Sequence, residues 1–197
     1  EFRFTGRPLP TLQSIDAGGR VIYTNTFSKS LAPSIRISYM VLPKPLVNRF
    51  YKELSFYSCT VSNFEQYTLA RFIEDGYFEK HLNRMRKIYK GKHDCMMEQL
   101  QKYFPEKFLE ISGDNAGLYV LIRYLGPQTE EEILRRAETL GMPLKSLKGY
   151  YQNLPPNYLP TFLLGFANLS EETIPDAIRS LSEKVFAGDE GTKIDPV

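Results

Sequence analysis

The chain has 197 residues, a net charge of +2, 42% hydrophobic residues and 24% charged ones, the composition of a globular protein with enough apolar content for a sizeable core. Balanced charge gives no field for a polyanion, no apolar run approaches the roughly 20 residues that span a bilayer, and no stretch reads as a signal peptide. Cys59 and Cys95 lie far apart with no ligand set at metal spacing, which argues for two reduced thiols and against a disulfide framework or a zinc site.

The opening Glu1-Phe2-Arg3-Phe4, without an initiator Met, is expected to be interior to a longer polypeptide. Val21-Ile22-Tyr23 and Ile37–Leu42 are short β-branched and aromatic runs that predict strands. The polar stretch Thr24–Arg36 between them is expected to be a flexible loop. Pro43-Lys44-Pro45 closes the second strand and starts a helix over Leu46–Leu54. Ser62-Asn63-Phe64-Glu65 is a capping box that opens the next helix, and Gly76 interrupts it. A long helix follows over Phe78–Tyr103, with Phe78, Leu82, Met85, Tyr89 and Met96 near one stripe and Arg84, Arg86, Lys87, Lys90 and Lys92 on a solvated face. Neither His81 nor His93 has a partner at ligand or triad spacing, and both are assigned to surface or interface positions.

The texture changes after Pro105. Phe108–Ser112 and Gly117–Tyr124 predict two strands joined by the turn Gly113-Asp114-Asn115, with Tyr119 assigned to packing. Thr129 and Glu132 frame a helix that Gly141 ends. Pro143–Leu147 and Phe162–Ala167 predict two more strands, and Ser170 opens a last helix to Phe186. This β-β-α-β-β-α order predicts a compact α+β unit. Tyr150–Pro160 is expected to be a surface loop, and the tail from Gly188 a mobile end.

One stretch carries chemistry: Thr24-Asn25-Thr26-Phe27-Ser28-Lys29-Ser30-Leu31-Ala32-Pro33-Ser34-Ile35-Arg36. Thr26 and Ser28 supply hydroxyls, and Arg36 a planar cationic fork suited to phosphate. Lys29 supplies an amine that becomes nucleophilic when desolvated beside another cation. Together they suit a dianionic phosphate and an aldehyde. The same residue types also make ordinary polar loops, so the residues by themselves leave both readings open.

Thr26 to Arg36 closely resembles the cofactor-lysine segment of fold-type I pyridoxal-phosphate aminotransferases. The likeness extends to the aminotransferase-like domain of the MocR subfamily of GntR transcriptional regulators. Gly6-Arg7-Pro8-Leu9-Pro10-Thr11-Leu12-Gln13, Glu65 to Gly76, His81 to Tyr89, and Leu163-Leu164-Gly165-Phe166-Ala167-Asn168-Leu169-Ser170 resemble further segments of that subfamily. The resemblance covers Glu1 to about Ala187 and implies an α/β fold of the aspartate aminotransferase type, present in part. Residues 1–54 would end the large, mostly parallel sheet domain, 55–104 would connect, 105–187 would form the small α+β domain, and 188–197 the tail. It further implies that Lys29 carries pyridoxal 5'-phosphate as a Schiff base, with Thr26, Ser28 and Arg36 on the phosphate.

The resemblance also implies that the family's ring-facing cofactor contacts, an acidic residue, an aromatic and an Asn, lie upstream of this chain. A transaminase of this fold presents an Arg on the C-terminal strand for the substrate carboxylate, and the matching position here is Leu163, with Leu164 beside it. The implied role is therefore the effector part of a cytoplasmic, homodimeric transcriptional regulator that responds to the cofactor or its amino-acid adduct. DNA would be engaged only through a winged-helix domain preceding Glu1. The competing expectation is a class I/II aminotransferase acting on amino acids, for which no winged-helix segment would precede.

Overall fold

The structure, a computed structural model, describes residues 1–142 and 144–187. The tail from Gly188 lies outside them, as does Pro143, the first residue of one expected strand. The chain divides into two compact units, Glu1 with Gly6–Met85, and Phe2–Thr5 with Arg86–Val197.

In the first unit the Asp16 carboxylate accepts the N–H groups of Gly18, Arg20 and Val21 at 2.9, 2.6 and 2.8 Å. These bonds, that from Val21 foremost, hold its carboxyl below the ordinary carboxylate value. Because Asp16 takes the Val21 N–H, the strand expected from Val21 begins only at Tyr23. β1 is Tyr23–Thr26, and it pairs antiparallel with β2, Ser38–Val41. These residues do not themselves make a parallel pair: positions 27–37 between the strands fall short of the dozen or more residues that a parallel crossover needs. Nor is the stretch after Thr24 simply a loop, since it holds the end of β1 and a one-turn helix, α1, Phe27–Ser30.

α2, Lys44–Leu54, starts with Pro in its first turn, where the missing N–H costs no helical bond. α3, Asn63–Glu74, has the expected capping box, with Ser62 Oγ accepting from Glu65 N at 3.2 Å and Glu65 Oε2 accepting from Ser62 N at 3.4 Å. Gly76, at φ +76°, breaks the chain before α4, Tyr77–Tyr103. Among the described residues from Gly6 to Met85 only Ser30 and Leu82 are buried, while Leu9, Tyr51, Phe56, Tyr57, Phe64 and Tyr67 are exposed.

The second unit is built on a four-stranded antiparallel sheet of order β3-β4-β6-β5: Leu109–Ser112, Tyr119–Tyr124, Thr161–Gly165 and Lys145–Ser146. With α5, Glu130–Thr139, and α6, Ile174–Ser180, this gives the expected β-β-α-β-β-α order. Ser170 does cap the last helical region, accepting from Thr173 N at 3.2 Å, but the helix proper begins at Ile174 after a turn. It continues as a π-helical turn, Leu181–Phe186, in which Ala187 N bonds Ser182 O at 3.0 Å and Ser182 Oγ bonds Tyr103 O at 2.8 Å.

One face of the sheet carries the core. Val120, Ile122, Tyr124 and Phe162 pack with Met96, Leu100 and Phe104 of α4, Ile133 and Ala137 of α5, and Ile178, Val185 and Phe186 at the C-terminal end. Each large apolar side chain buried this way contributes about 1.5–3 kcal/mol. The Phe186 ring meets those of Phe104, Tyr124 and Phe162 at 5.4, 5.0 and 5.7 Å. Gly126 is required where it stands, since a Cβ there would come 2.1 Å from the Tyr124 hydroxyl. Glu130 is buried at the start of α5, where its carboxylate accepts from Ser146 Oγ at 2.6 Å and Tyr158 OH at 2.9 Å. It thereby ties β5 and the 150–160 loop to the helix. The N-terminal strap joins the same unit: Phe2 packs edge-on to Tyr89, Phe4 stacks on His93, and Arg3 bridges to Ala116.

Three assignments change. His93 is 7% exposed, not a surface residue, because Phe4 and Phe166 enclose its ring. Tyr119 is 51% exposed, because its strand position puts it on the face opposite the core. Lys92 leaves the solvated stripe to bond Ala167 O at 2.8 Å. Since Phe162 is fully buried at the centre of the core, Phe162→Ala should lower the stability of the second unit by about 3–5 kcal/mol. Urea unfolding followed by far-UV circular dichroism would measure it, and a loss under 1 kcal/mol, taken as roughly the cost of a surface change, would place Phe162 outside the core.

Candidate functional site

Thr26 ends β1 with extended backbone and becomes the N-cap of α1, its Oγ1 accepting from Ser28 N at 3.3 Å. The Thr26 hydroxyl donates to Ile37 O at 3.2 Å and lies 3.3 Å from Ser28 Oγ. Ser28 Oγ donates to Ile35 O at 2.9 Å and accepts from Arg36 Nη1 at 3.2 Å. Phe27 N bonds Ile37 O at 3.0 Å. The 31–37 segment therefore folds back over the first turn of α1, and three of the four expected residues, Thr26, Ser28 and Arg36, meet around one hydroxyl.

Lys29 sits one residue beyond Ser28 on the same turn, exposed, while its neighbour Ser30 is buried. The desolvation expected at Lys29 is thus not supplied by these residues. Neither Lys29 nor Arg36 meets a carboxylate among the described residues, so two cations and two hydroxyls share one exposed loop without a counter-charge. That arrangement suits a dianion bearing oxygens in several directions. A cavity of about 410 Å³ lies elsewhere in this unit, lined by Leu31, Ile35, Phe64, Leu69 and Phe72 among others, and none of the four residues lines it.

A polar cluster that the sequence reading passed over sits on β1–β2. Asn25 donates to Tyr23 OH at 2.9 Å and faces Tyr39 across the ladder, and burial, with Tyr23 beside it, pushes the Tyr39 hydroxyl above its ordinary value. Its signal was the alternation Tyr23, Asn25 against Tyr39, once the strand pairing was known. In the second unit Leu163 faces Leu121 and Lys145 across the sheet, on the face that also exposes Tyr119. Among the described residues no cluster of His, Cys, Asp or Glu could hold a metal ion, and no helix is long and apolar enough to cross a membrane.

The family model for aminotransferase class I and II matches residues 3–181. An uncharacterized HTH-type transcriptional regulator of Bacillus subtilis, YdeL, is 44% identical over 181 residues, which are 92% of this chain and 38% of that protein. The probable rhizopine catabolism regulatory protein MocR of Rhizobium meliloti is 33% identical over 95% of this chain and 37% of its own length. Among solved structures, the kynurenine aminotransferase of Pyrococcus horikoshii superposes with a TM-score of 0.80 at 30% identity, covering 94% of this chain and 45% of that one. The chain therefore spans well under half of these relatives, as a partial aminotransferase fold.

The N-cap geometry of Thr26 gives a local test. Thr26→Ala removes the cap, a change of about 1 kcal/mol, and should speed amide exchange at Phe27–Leu31 about fivefold while leaving the 119–124 strand unchanged. Exchange mass spectrometry would measure both. Equal rates in the 27–31 segment would show that the cap does not hold it.

Proposed function

The chain belongs to the aminotransferase class I and II family, and on that premise we propose that it is the cofactor-binding effector part of a MocR-type, GntR-family transcriptional regulator, with pyridoxal 5'-phosphate carried covalently on Lys29. The observation that carries this reading is the convergence of Thr26, Ser28 and Arg36 on one side of the Lys29 turn, with no carboxylate to neutralise the cations. Residues 1–54 would complete the cofactor-binding domain and 105–187 the small domain. Its regulator-like relatives support the same reading.

The donor set fits the cofactor's phosphate. Arg36 offers a planar fork whose Nη1 is already oriented by Ser28 Oγ. Ser28 and Thr26 hold their hydroxyls within 3.3 Å of one another, and both can turn from carbonyl acceptors toward a better, anionic one. Lys29 presents its amine from the adjoining position, so binding the phosphate fixes the distance from which that amine meets the rest of the ligand. When bound, the cofactor supplies an aldehyde that condenses with amines and a ring that withdraws electrons. The chain's own part is to bind, to orient and to present one amine.

Regulation rather than turnover is favoured by Leu163. An apolar side chain there, flanked by Leu121, cannot satisfy a carboxylate at that position, and an unpaired buried charge costs several kcal/mol. DNA would be bound through a winged-helix domain elsewhere in the polypeptide. The whole protein would be a cytoplasmic homodimer, with Phe64 and Tyr67 of α3 among the exposed rings such an assembly could cover.

Three outcomes are expected of the full polypeptide. Borohydride reduction and peptide mapping should place the cofactor's mass on Lys29, and a label on Lys87 or Lys145 instead would end the assignment. Arg36→Ala should weaken cofactor binding at least about tenfold, the loss of one charge-assisted hydrogen bond, in a calorimetric titration. One preparation assayed both ways should bind a specific operator in a cofactor-dependent manner and turn over common amino acids slowly. Brisk transamination without cofactor-dependent DNA binding would favour an aminotransferase.

A further inference from the structure

The outward face of the second unit's sheet carries a cation that no described residue neutralises. Ser146 turns toward the core side, where its hydroxyl reaches Glu130 at 2.6 Å. Lys145, one residue earlier on β5, therefore points to the opposite face. Its ladder partner is Leu163 on β6, whose partner on the other side is Leu121. Directly opposed residues share a face, with Cβ atoms roughly 4.5–5.5 Å apart. The Lys145 ammonium lies 5.1 Å from the centroid of the Tyr150 ring and meets no carboxylate among the described residues. Arg123 on the same face differs, being closed by Glu110 at 2.8 Å.

The backbone under Lys145 is fixed. Leu147 N bonds Thr161 O at 2.7 Å, Lys148 N bonds Ser146 Oγ at 2.9 Å, and Ser146 is tied in turn to Glu130. This is a free ammonium on an anchored strand, beside an apolar patch.

We propose that Lys145 receives the α-carboxylate of the amino-acid portion of the ligand, as a residue that determines specificity. The inference rests on the cofactor reading above. A carboxylate arriving at Leu121 and Leu163 alone would be left unpaired, and the next strand supplies the missing charge. The replacement is not equivalent to an Arg. A guanidinium grips a carboxylate with two parallel bonds and fixes its plane, whereas an ammonium on a four-carbon stem gives a point charge with rotatable donors. Lys145 thus selects for the presence of a carboxylate without fixing its orientation, which suits sensing an amino-acid adduct better than aligning one for reaction.

The test uses the full polypeptide without cofactor and two stable probes, N-(5'-phosphopyridoxyl)glycine and its counterpart without the carboxylate, N-methylpyridoxamine 5'-phosphate. Calorimetry should show the glycine probe binding at least about tenfold tighter. That ratio should fall to near one in Lys145→Gln and persist in Lys145→Arg. An unchanged ratio in Lys145→Gln, with both probes bound, overturns the assignment of Lys145 and leaves the cofactor reading standing. Failure of both probes to bind the unaltered protein overturns the cofactor reading, and this inference with it.

Discussion

Burial of apolar side chains on one face of a single four-stranded sheet is what the rest of the second unit depends on. Val120, Ile122, Tyr124 and Phe162 are nearly inaccessible, and helices α4, α5 and α6 close over them. With side chains of that kind contributing about 1.5–3 kcal/mol each, this face fixes where everything else in the unit stands. It leaves the opposite face free to differ. Tyr119, Leu121, Leu163 and Lys145 lie there because the strands alternate, and their chemistry can change without touching the core. The first unit has no comparable face. Its strands form a two-stranded ribbon, and such a ribbon needs further strands or a packed helix for stability of its own.

Much of this was legible from local rules. The capping boxes at Ser62 and Thr129, the breaks at Gly76 and Gly141, and the six-element order after Pro105 follow from hydrogen bonds that each segment makes with itself or from backbone conformations that glycine favours. What failed needed a partner distant in sequence. The start of β1 depended on Asp16 reaching Val21 N. His93 was misjudged because its burial comes from Phe4, 89 positions earlier, and from Phe166. Tyr119 was misjudged because strand alternation says that two faces exist, not which of them meets the core.

The candidate site divides in the same way. Residue chemistry alone allowed either a phosphate site or an ordinary loop at Thr26–Arg36, and the likeness to a known segment separated them. The structure adds the reason for the spacing. Ser28 can reach both Ile35 O and Arg36 Nη1 only because Phe27 N and the Thr26 hydroxyl both close on Ile37 O. Four residues dispersed over eleven positions become neighbours through two backbone carbonyls, a relation that no composition or periodicity could display. Lys29, by contrast, is placed by sequence adjacency to Ser28, so its position on the turn was readable from the start.

The π-helical turn at Leu181–Phe186 has a bearing on how this polypeptide tolerates changes of length. A wide turn is an α-helix holding one residue more than its hydrogen-bond pattern requires. It buries Leu181, Ser182, Val185 and Phe186 as two adjacent pairs. Deleting a single residue there would let the segment tighten into regular helix. Every later position would then rotate by about 100° about the axis, and the Phe186 ring would swing out from among Phe104, Tyr124 and Phe162. Conservative replacements along that stretch leave the count intact and can be absorbed by repacking. A one-codon gap, however mild the residue removed, re-indexes the end of the core.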